Sequence, residues 1–341
     1  MALTTAFPDD TNTGVTSGTK LVNLTASNLP TGVQIDSGGN FNITKAGLVL
    51  SGYNISGNVT ISAANVTIQN CSVTSATDTA VVKIADGITG AIVQNNTING
   101  VGTGNDGSFG IEGSGTFIGN NITNVENGIG PGSNSLIQNN YIHNLLASGS
   151  PHYDGIQMDG GLSNITINHN TVINDQGQTS AVMIDNYFGA INNISVTNNL
   201  LIGGGYTIYD DAQFNSNPIN GVTISGNHIG GGYYGSYDFN GTNPTVSGNV
   251  LDGANLQATL DTPVNDSLQL ILPTTPTPVL TNPTPPVTPV TPTTPVTPVT
   301  PIAPTPPVTT NVTDHVYHHG GMNFSESHLT NYDVHSLHHG F

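Results

Sequence analysis

One short step, an apolar residue followed three positions later by Asn, recurs through the middle of the chain and restricts the possible folds more than any other feature. It reads Ile68-Gln-Asn-Cys71, Val93-Gln-Asn-Asn96, Ile118-Gly-Asn-Asn121, Ile137-Gln-Asn-Asn140, Ile167-Asn-His-Asn170, Val196-Thr-Asn-Asn199, Ile224-Ser-Gly-Asn227 and Val246-Ser-Gly-Asn249. The final positions are 25, 25, 19, 30, 29, 28 and 22 residues apart, within the range of a solenoid and short of the roughly 40 residues of a propeller blade. Alternating runs such as Asn65-Val-Thr-Ile68, Ile165-Thr-Ile167, Ile194-Ser-Val196 and Val222-Thr-Ile224 are rich in β-branched residues, with Gly, Asn and Asp between them. The pattern predicts an all-β chain wound as a parallel β-helix, one coil per repeat, with coils about 4.8 Å apart. Asn at the same corner of successive coils then forms a ladder. Cys71 falls in that column one coil earlier, as a small buried residue; a single Cys has no intrachain disulfide partner.

Residues 1–39 are expected to cap the first coil, because an open sheet edge invites aggregation, and residues 40–272 to form the β-helix. At Pro273 the composition changes to Pro, Thr and Val without charge, as in Pro292-Thr-Thr-Pro-Val-Thr-Pro-Val-Thr-Pro301. Residues 273–310 therefore read as a disordered polyproline-II spacer. Residues 311–341 form a His-rich tail with two related segments, Asp314-His315-Val-Tyr-His318-His319-Gly320 and Asp333-Val-His335-Ser-Leu-His338-His339-Gly340. Two readings stay open there: Zn²⁺, Ni²⁺ or Cu²⁺ held by His315, His318, His319, His335, His338 and His339, or a targeting tail with no physiological metal.

Charge removes several partner classes. Only 7% of the residues are charged, the cations are Lys20, Lys45 and Lys83, there is no Arg, and the net charge is -18. A phosphate backbone needs cations to neutralise it, so nucleic-acid binding is excluded. The same deficit argues against anionic membranes and against direct grip on a polyuronate; a neutral or cationic glycan, or one bridged by Ca²⁺, escapes it. No apolar run is long enough for membrane insertion. The N-terminal stretch lacks the basic and apolar regions of a signal peptide. With its acidic, Gly- and Asn-rich, Cys-poor composition the chain is expected to be a secreted bacterial protein, and two routes stay open: a signal removed before this numbering begins, or type I-like export that does not read the N-terminus.

The segment Phe7-Pro-Asp-Asp-Thr-Asn-Thr-Gly-Val15, the coil Ile61-Ser-Ala-Ala-Asn-Val-Thr-Ile-Gln-Asn70 and the string Pro151-His-Tyr-Asp-Gly-Ile-Gln157 together resemble the secreted bacterial right-handed parallel β-helix repeat proteins, over about residues 7–252. The resemblance implies a right-handed β-helix. The wider superfamily it is similar to includes pectate and alginate lyases, polygalacturonases and mannuronan epimerases, some of which place a His beside acidic residues, as His152 and Asp154 do here. The missing Arg and late Lys depart from the polyuronate enzymes.

Chemistry concentrates in Ser150-Pro-His-Tyr-Asp-Gly-Ile-Gln-Met-Asp-Gly160. If Ile156 and Met158 face the bore, Gln157 and Asp159 face out. Val182-Met-Ile-Asp185, Thr207-Ile-Tyr-Asp210 and Gly235-Ser-Tyr-Asp238 repeat the pattern, with Phe109-Gly-Ile-Glu112 as an earlier echo, which predicts an outward acidic column of Asp159, Asp185, Asp210 and Asp238. Stacked carboxyls repel, so one protonated and one ionised group can supply acid and nucleophile or base. Alternatively the column holds Ca²⁺ and a lyase or epimerase uses His152 or Tyr187 as base. A third reading makes each Asp a turn former at a strand end. The candidate catalytic residues are thus His152, Asp154, Asp159 and Asp185, and the candidate substrate contacts Gln157, Tyr187, Asp210 and Glu112, in a late cluster of Tyr and Phe suited to stacking on sugar rings. Two functions remain open: a carbohydrate-active hydrolase or lyase acting on an extracellular polysaccharide, and a non-catalytic glycan-binding, adhesive or matrix protein.

Overall fold

The computed structural model describes residues 6–251; the Pro/Thr spacer, the His-rich tail with its six candidate metal ligands, and the end of the 40–272 region lie outside the described residues. From Phe41–Ile43 onward the strands come in threes, each joining one of three parallel sheets, so the chain winds as a β-solenoid. The first sheet contains Phe41–Ile43, Val59–Ile61, Ala80–Ile84, Phe109–Gly113, Asn127–Pro131, Asp154–Met158, Ser180–Asp185, Tyr206–Asp211 and Gly235–Asn240 in spatial order. The second runs from Val49–Ser51 to Thr245–Ser247, and the third, entered at Val22–Asn23, from Tyr53–Ser56 to Val250–Leu251.

Register follows from the apolar columns that fill the bore. In the second sheet Leu50, Ile68, Val93, Phe117, Ile137, Ile167, Val196 and Ile224 stand one above another. In the third the stack is Ile55, Val73, Ile98, Ile122, Ile142, Val172, Leu201 and Ile229. All sixteen are fully buried, each contributing about 1.5–3 kcal/mol of burial. A slip of one residue would turn a whole strand inside out, so these columns fix the register.

Between the second and third sheets every coil turns the same corner. Asn70, Asn95, Gly119, Asn139, His169, Asn198, Gly226 and Gly248 take left-handed backbone there, with φ between 47° and 66°, a conformation that Gly and Asn adopt most readily. The next residue is the ladder member. Asn140 shows the arrangement: its Nδ2 donates to Phe117 O and to Asn170 Oδ1, both at 2.9 Å, while its Oδ1 accepts from Asn120 N and Nδ2 at 3.0 and 2.9 Å. The ladder runs Cys71, Asn96, Asn120, Asn140, Asn170, Asn199, Asn227, Asn249. Asn120, not Asn121, is therefore the member in the third coil. Phe117 rather than Ile118 fills the bore there, so the corner arrives one residue earlier than the local pattern suggested.

The N-terminal region does two different things. Val33–Ile35 pairs antiparallel with Phe41–Ile43 and sits at the beginning of the solenoid. Residues 7–16 instead run along its flank. Thr16 Oγ1 donates to Asn70 Oδ1 (2.8 Å), Gly14 N to Gly119 O (2.8 Å), and Asp10 accepts from Asn121 Nδ2 (2.9 Å). Asp10 also lies 3.6 Å from His143 Nε2, and the Phe7 ring packs on His169 and His228 at 5.7 and 5.3 Å. An Asx turn at Asp9, which accepts from Thr11 N at 2.7 Å, and Gly14 at φ 77° shape this strap. A Cβ at Gly14 would meet Thr97 Oγ1 at 2.8 Å and Asn121 Cβ at 3.1 Å, so the close seat requires Gly.

Candidate functional site

The strands of the first sheet bend at one point, where two successive residues, such as Ala181 and Val182, both enter the core. At the corresponding point of the next lower coil sits Gly155, where a Cβ would lie 2.1 Å from Val172 Cγ1. The bend leaves Asp154 at the strand start and Gln157 and Asp159 on the outer face. Asp154 is nonetheless 1% exposed; it accepts a 2.5 Å hydrogen bond from Ser180 Oγ, and its own N–H donates to Asn127 Oδ1. Burial holds the Asp154 carboxyl well above the usual range, and the charges of Asp159 and Glu126 add to the effect.

Pairing of Met158 with Ile184 sets Asp159 beside Asp185, and Asp185 pairs with Asp211, which pairs with Asn240. The column at the strand ends is therefore Asp159, Asp185, Asp211 and Asn240, with Asp185 itself 6% exposed. Asp210 falls in the inward column between Ile184 and Phe239, 1% exposed, with neither carboxylate oxygen hydrogen-bonded. Asp238 aligns with Tyr209, one step short of the column. The sequence offers Asp210 and Asp211 in succession, and only the pairing with Ile184 and Asp185 decides between them.

Asp185 stands at the centre of this group. Burial pushes it up to about 8, and the charges of Asp159, Asp154 and Asp211 push the same way, while the hydrogen bond that Tyr187 N donates to its Oδ1 (2.8 Å) opposes them. Asp211 is raised by burial and by Asp238, against hydrogen bonds from Gln213 N and Asn240. Burial raises Asp210 to about 6. Among the described residues no group of three or more His, Cys, Asp or Glu is placed to hold a metal ion.

His152 lies exposed on the loop that lengthens the Asn140 to Asn170 coil. That loop is pinned by Tyr153, whose hydroxyl donates to Ala147 O, and by Gln178 Nε2, which donates to Pro151 O. The acid that meets the His152 backbone is Glu126: its Oε1 accepts from His152 N at 3.0 Å and its Oε2 from Gly107 N at 2.5 Å. Burial raises Glu126, and both backbone bonds and the His152 charge oppose the rise. Sequence reasoning missed Glu126; the available signal was a Glu at the start of a first-sheet strand in a chain with very few acids of that type. Gln157 faces out, with its Oε1 buried and without a hydrogen-bond partner. Glu112 stands two coils below Gln157 in the same column and ion-pairs with Lys83 at 3.1 Å, away from the Asp column.

Aromatic rings flank the carboxylates at both ends of these strands. After the strands, Tyr187 meets Phe188 at 4.7 Å and Phe214 at 5.8 Å. Buried Asn186 fixes this group: its Nδ2 donates to Ala212, Asn215 and Asn217 carbonyls and its Oδ1 accepts from Phe214 N. Before the strands, Tyr206 meets Tyr209 at 5.4 Å and Tyr234 at 5.8 Å, with Tyr233 4.9 Å from Tyr234. Comparison with protein-family models, with curated proteins and with solved structures finds no match to this chain.

Proposed function

We propose that the protein is a secreted, carbohydrate-active β-solenoid that hydrolyses an extracellular polysaccharide on the outer face of the first sheet. The observation that carries this reading is Asp185, raised to about 8 and flanked on adjacent coils by Asp159 and Asp211. At neutral pH Asp185 is protonated and can give its proton to the glycosidic oxygen as the bond from that oxygen to the sugar carbon breaks, while an ionised neighbour about 5 Å away, the spacing of a retaining glycosidase, attacks the same carbon; water, deprotonated by Asp185, then cleaves the glycosyl ester and frees the neighbour. Asp154, buried behind them, acts as a positioning residue: its bonds with Ser180 Oγ and Asn127 Oδ1 fix the start of the strand that leads to Asp159. Hydrolysis is favoured over a lyase route because no Arg and no Lys beyond Lys83 is present to neutralise a uronate. Kinship with the pectate lyase and polygalacturonase superfamily, and export by a type I-like route, belong to this proposal and rest on the motifs of residues 7–157.

A second reading, a glycan-binding or adhesive protein without catalysis, draws on the hydrogen bonds that Asp185 and Asp211 accept from Tyr187 N and Gln213 N, which make each a turn former. Product release from neutral, cationic and uronic polysaccharides, with and without Ca²⁺, separates the two. The hydrolase reading expects new reducing ends, lost in Asp185→Asn and Asp159→Asn while binding persists. Binding without cleavage would leave the second reading, and unsaturated ends would replace hydrolysis by elimination.

A further inference from the structure

The two aromatic groups lie at opposite ends of Tyr206–Asp211, a strand of six residues spanning roughly 17 Å at about 3.3 Å per residue. Tyr233 and Tyr234 are 78% and 66% exposed, and Tyr187, Phe188 and Phe214 45–49%. Apolar rings so exposed mark a contact surface. Both groups are held by backbone and buried side chains before any ligand arrives: Tyr233 N and Tyr234 N donate to Gly204 O and Gly205 O, and Asn186 ties down the other group. Exposed rings on a backbone already tied down suit the apolar faces of sugar rings better than a folded protein partner, because little of the backbone remains to be ordered on binding.

Charge selects among sugars. Between the platforms lie Asp211 and Asp238, and the chain's three cations are Lys20, Lys45 and Lys83, of which Lys83 is engaged by Glu112. A ligand that brought further anions would meet only repulsion there, and one that brought ammonium groups would supply the missing counter-charge.

We propose that the platforms Tyr206/Tyr233/Tyr234 and Tyr187/Phe188/Phe214 together bind a glycan bearing free, protonated amino groups, laid along the strand direction across the intervening carboxylates. The proposal rests on the reading of the protein as a glycan-active solenoid and adds the class of sugar and the direction of the chain.

Calorimetry on the full chain at mildly acidic pH tests it, with four probes: a glucosamine hexamer, the same hexamer N-acetylated, a galacturonate hexamer, and oligolysine. The glucosamine hexamer is expected to bind, the acetylated one about tenfold more weakly, and the uronate not at all; Tyr234→Ala and Phe214→Ala should each weaken the first by up to about tenfold. Circular dichroism establishes that both variants remain folded. Equal binding of the amine and acetylated hexamers would overturn the class of sugar and leave the hydrolase reading intact. Binding unaltered by either substitution would overturn the platforms, and oligolysine binding as tightly as the glucosamine hexamer would point to a cationic peptide instead. Tight amine binding without cleavage would retain this proposal and remove hydrolysis.

Discussion

The coils up to Ile142 and those from Asp154 onward share a corner and differ in what they display. Both halves turn through a left-handed residue followed by a ladder Asn, with the same hydrogen bonds at Asn96 and at Asn199. On the first sheet the early half shows Thr60, Lys83 and Glu112, where one cation meets one acid at 3.1 Å. The late half shows Asp159, Asp185 and Asp211 with no lysine among them, and aromatic rings at either end. Because the ladder and bore hold the fold, the outer face is free to carry charge that destabilises it. Among the described residues the lysine–glutamate pair on this face belongs to the early half.

The comparison can be broken at its common part first. Asn140→Ala removes two donated and two accepted hydrogen bonds and leaves Phe117 O and Asn120 N buried. Loss of about 3–5 kcal/mol is expected in chemical denaturation, while Asn121→Ala, one residue from the ladder, should cost under about 1 kcal/mol. Equal losses at Asn120→Ala and Asn121→Ala would contradict the register of the third coil.

Sharpening the contrast calls for pH. A carboxyl raised in the fold keeps its proton there after the unfolded chain has lost it, so stability falls as pH rises between the two values. That window runs from 3.8 to about 6 for Asp210 and from 3.8 to about 8 for Asp185. The protein should therefore be more stable near pH 4 than near pH 8 in urea titrations. Asp210→Leu, which continues the column of Ile184 and Phe239, should recover about 2 kcal/mol at pH 8 and lessen the slope; an unchanged slope would show that Asp210 ionises freely. Gly155→Ala tests the bend of the late strands: overpacking against Val172 should cost about 1–3 kcal/mol, read as a lowered Tm. The smallest effect belongs to the early half. Lys83→Met should change stability by under about 1 kcal/mol and respond to salt, as exposed pairs do.

Much of the fold was legible in the sequence because the repeat is physical: apolar residues and Asn recur where the bore and the corner need them. Legibility failed where two candidates stood side by side. Phe117-Ile118 and Asn120-Asn121 offer two registers, as do Asp210-Asp211, and a slip of one residue exchanges inside for outside. Pairing with the coils on either side chooses, and that choice is not written locally. Glu126 escaped for a different reason, since its meeting with His152 depends on how the loop before Asp154 folds back over an earlier coil.

The strap from Phe7 to Thr16 changes how such a stack can come apart. Each coil touches only the coils above and below it, so a bare solenoid frays from its ends one layer at a time. Here a single ribbon, anchored at Asn70 and reaching His228, runs across the grain like the spine of a bound book. Peeling the leaf at His228 pulls on the leaf at Asn70, and the layers between, which would otherwise fail in sequence, are made to give way together.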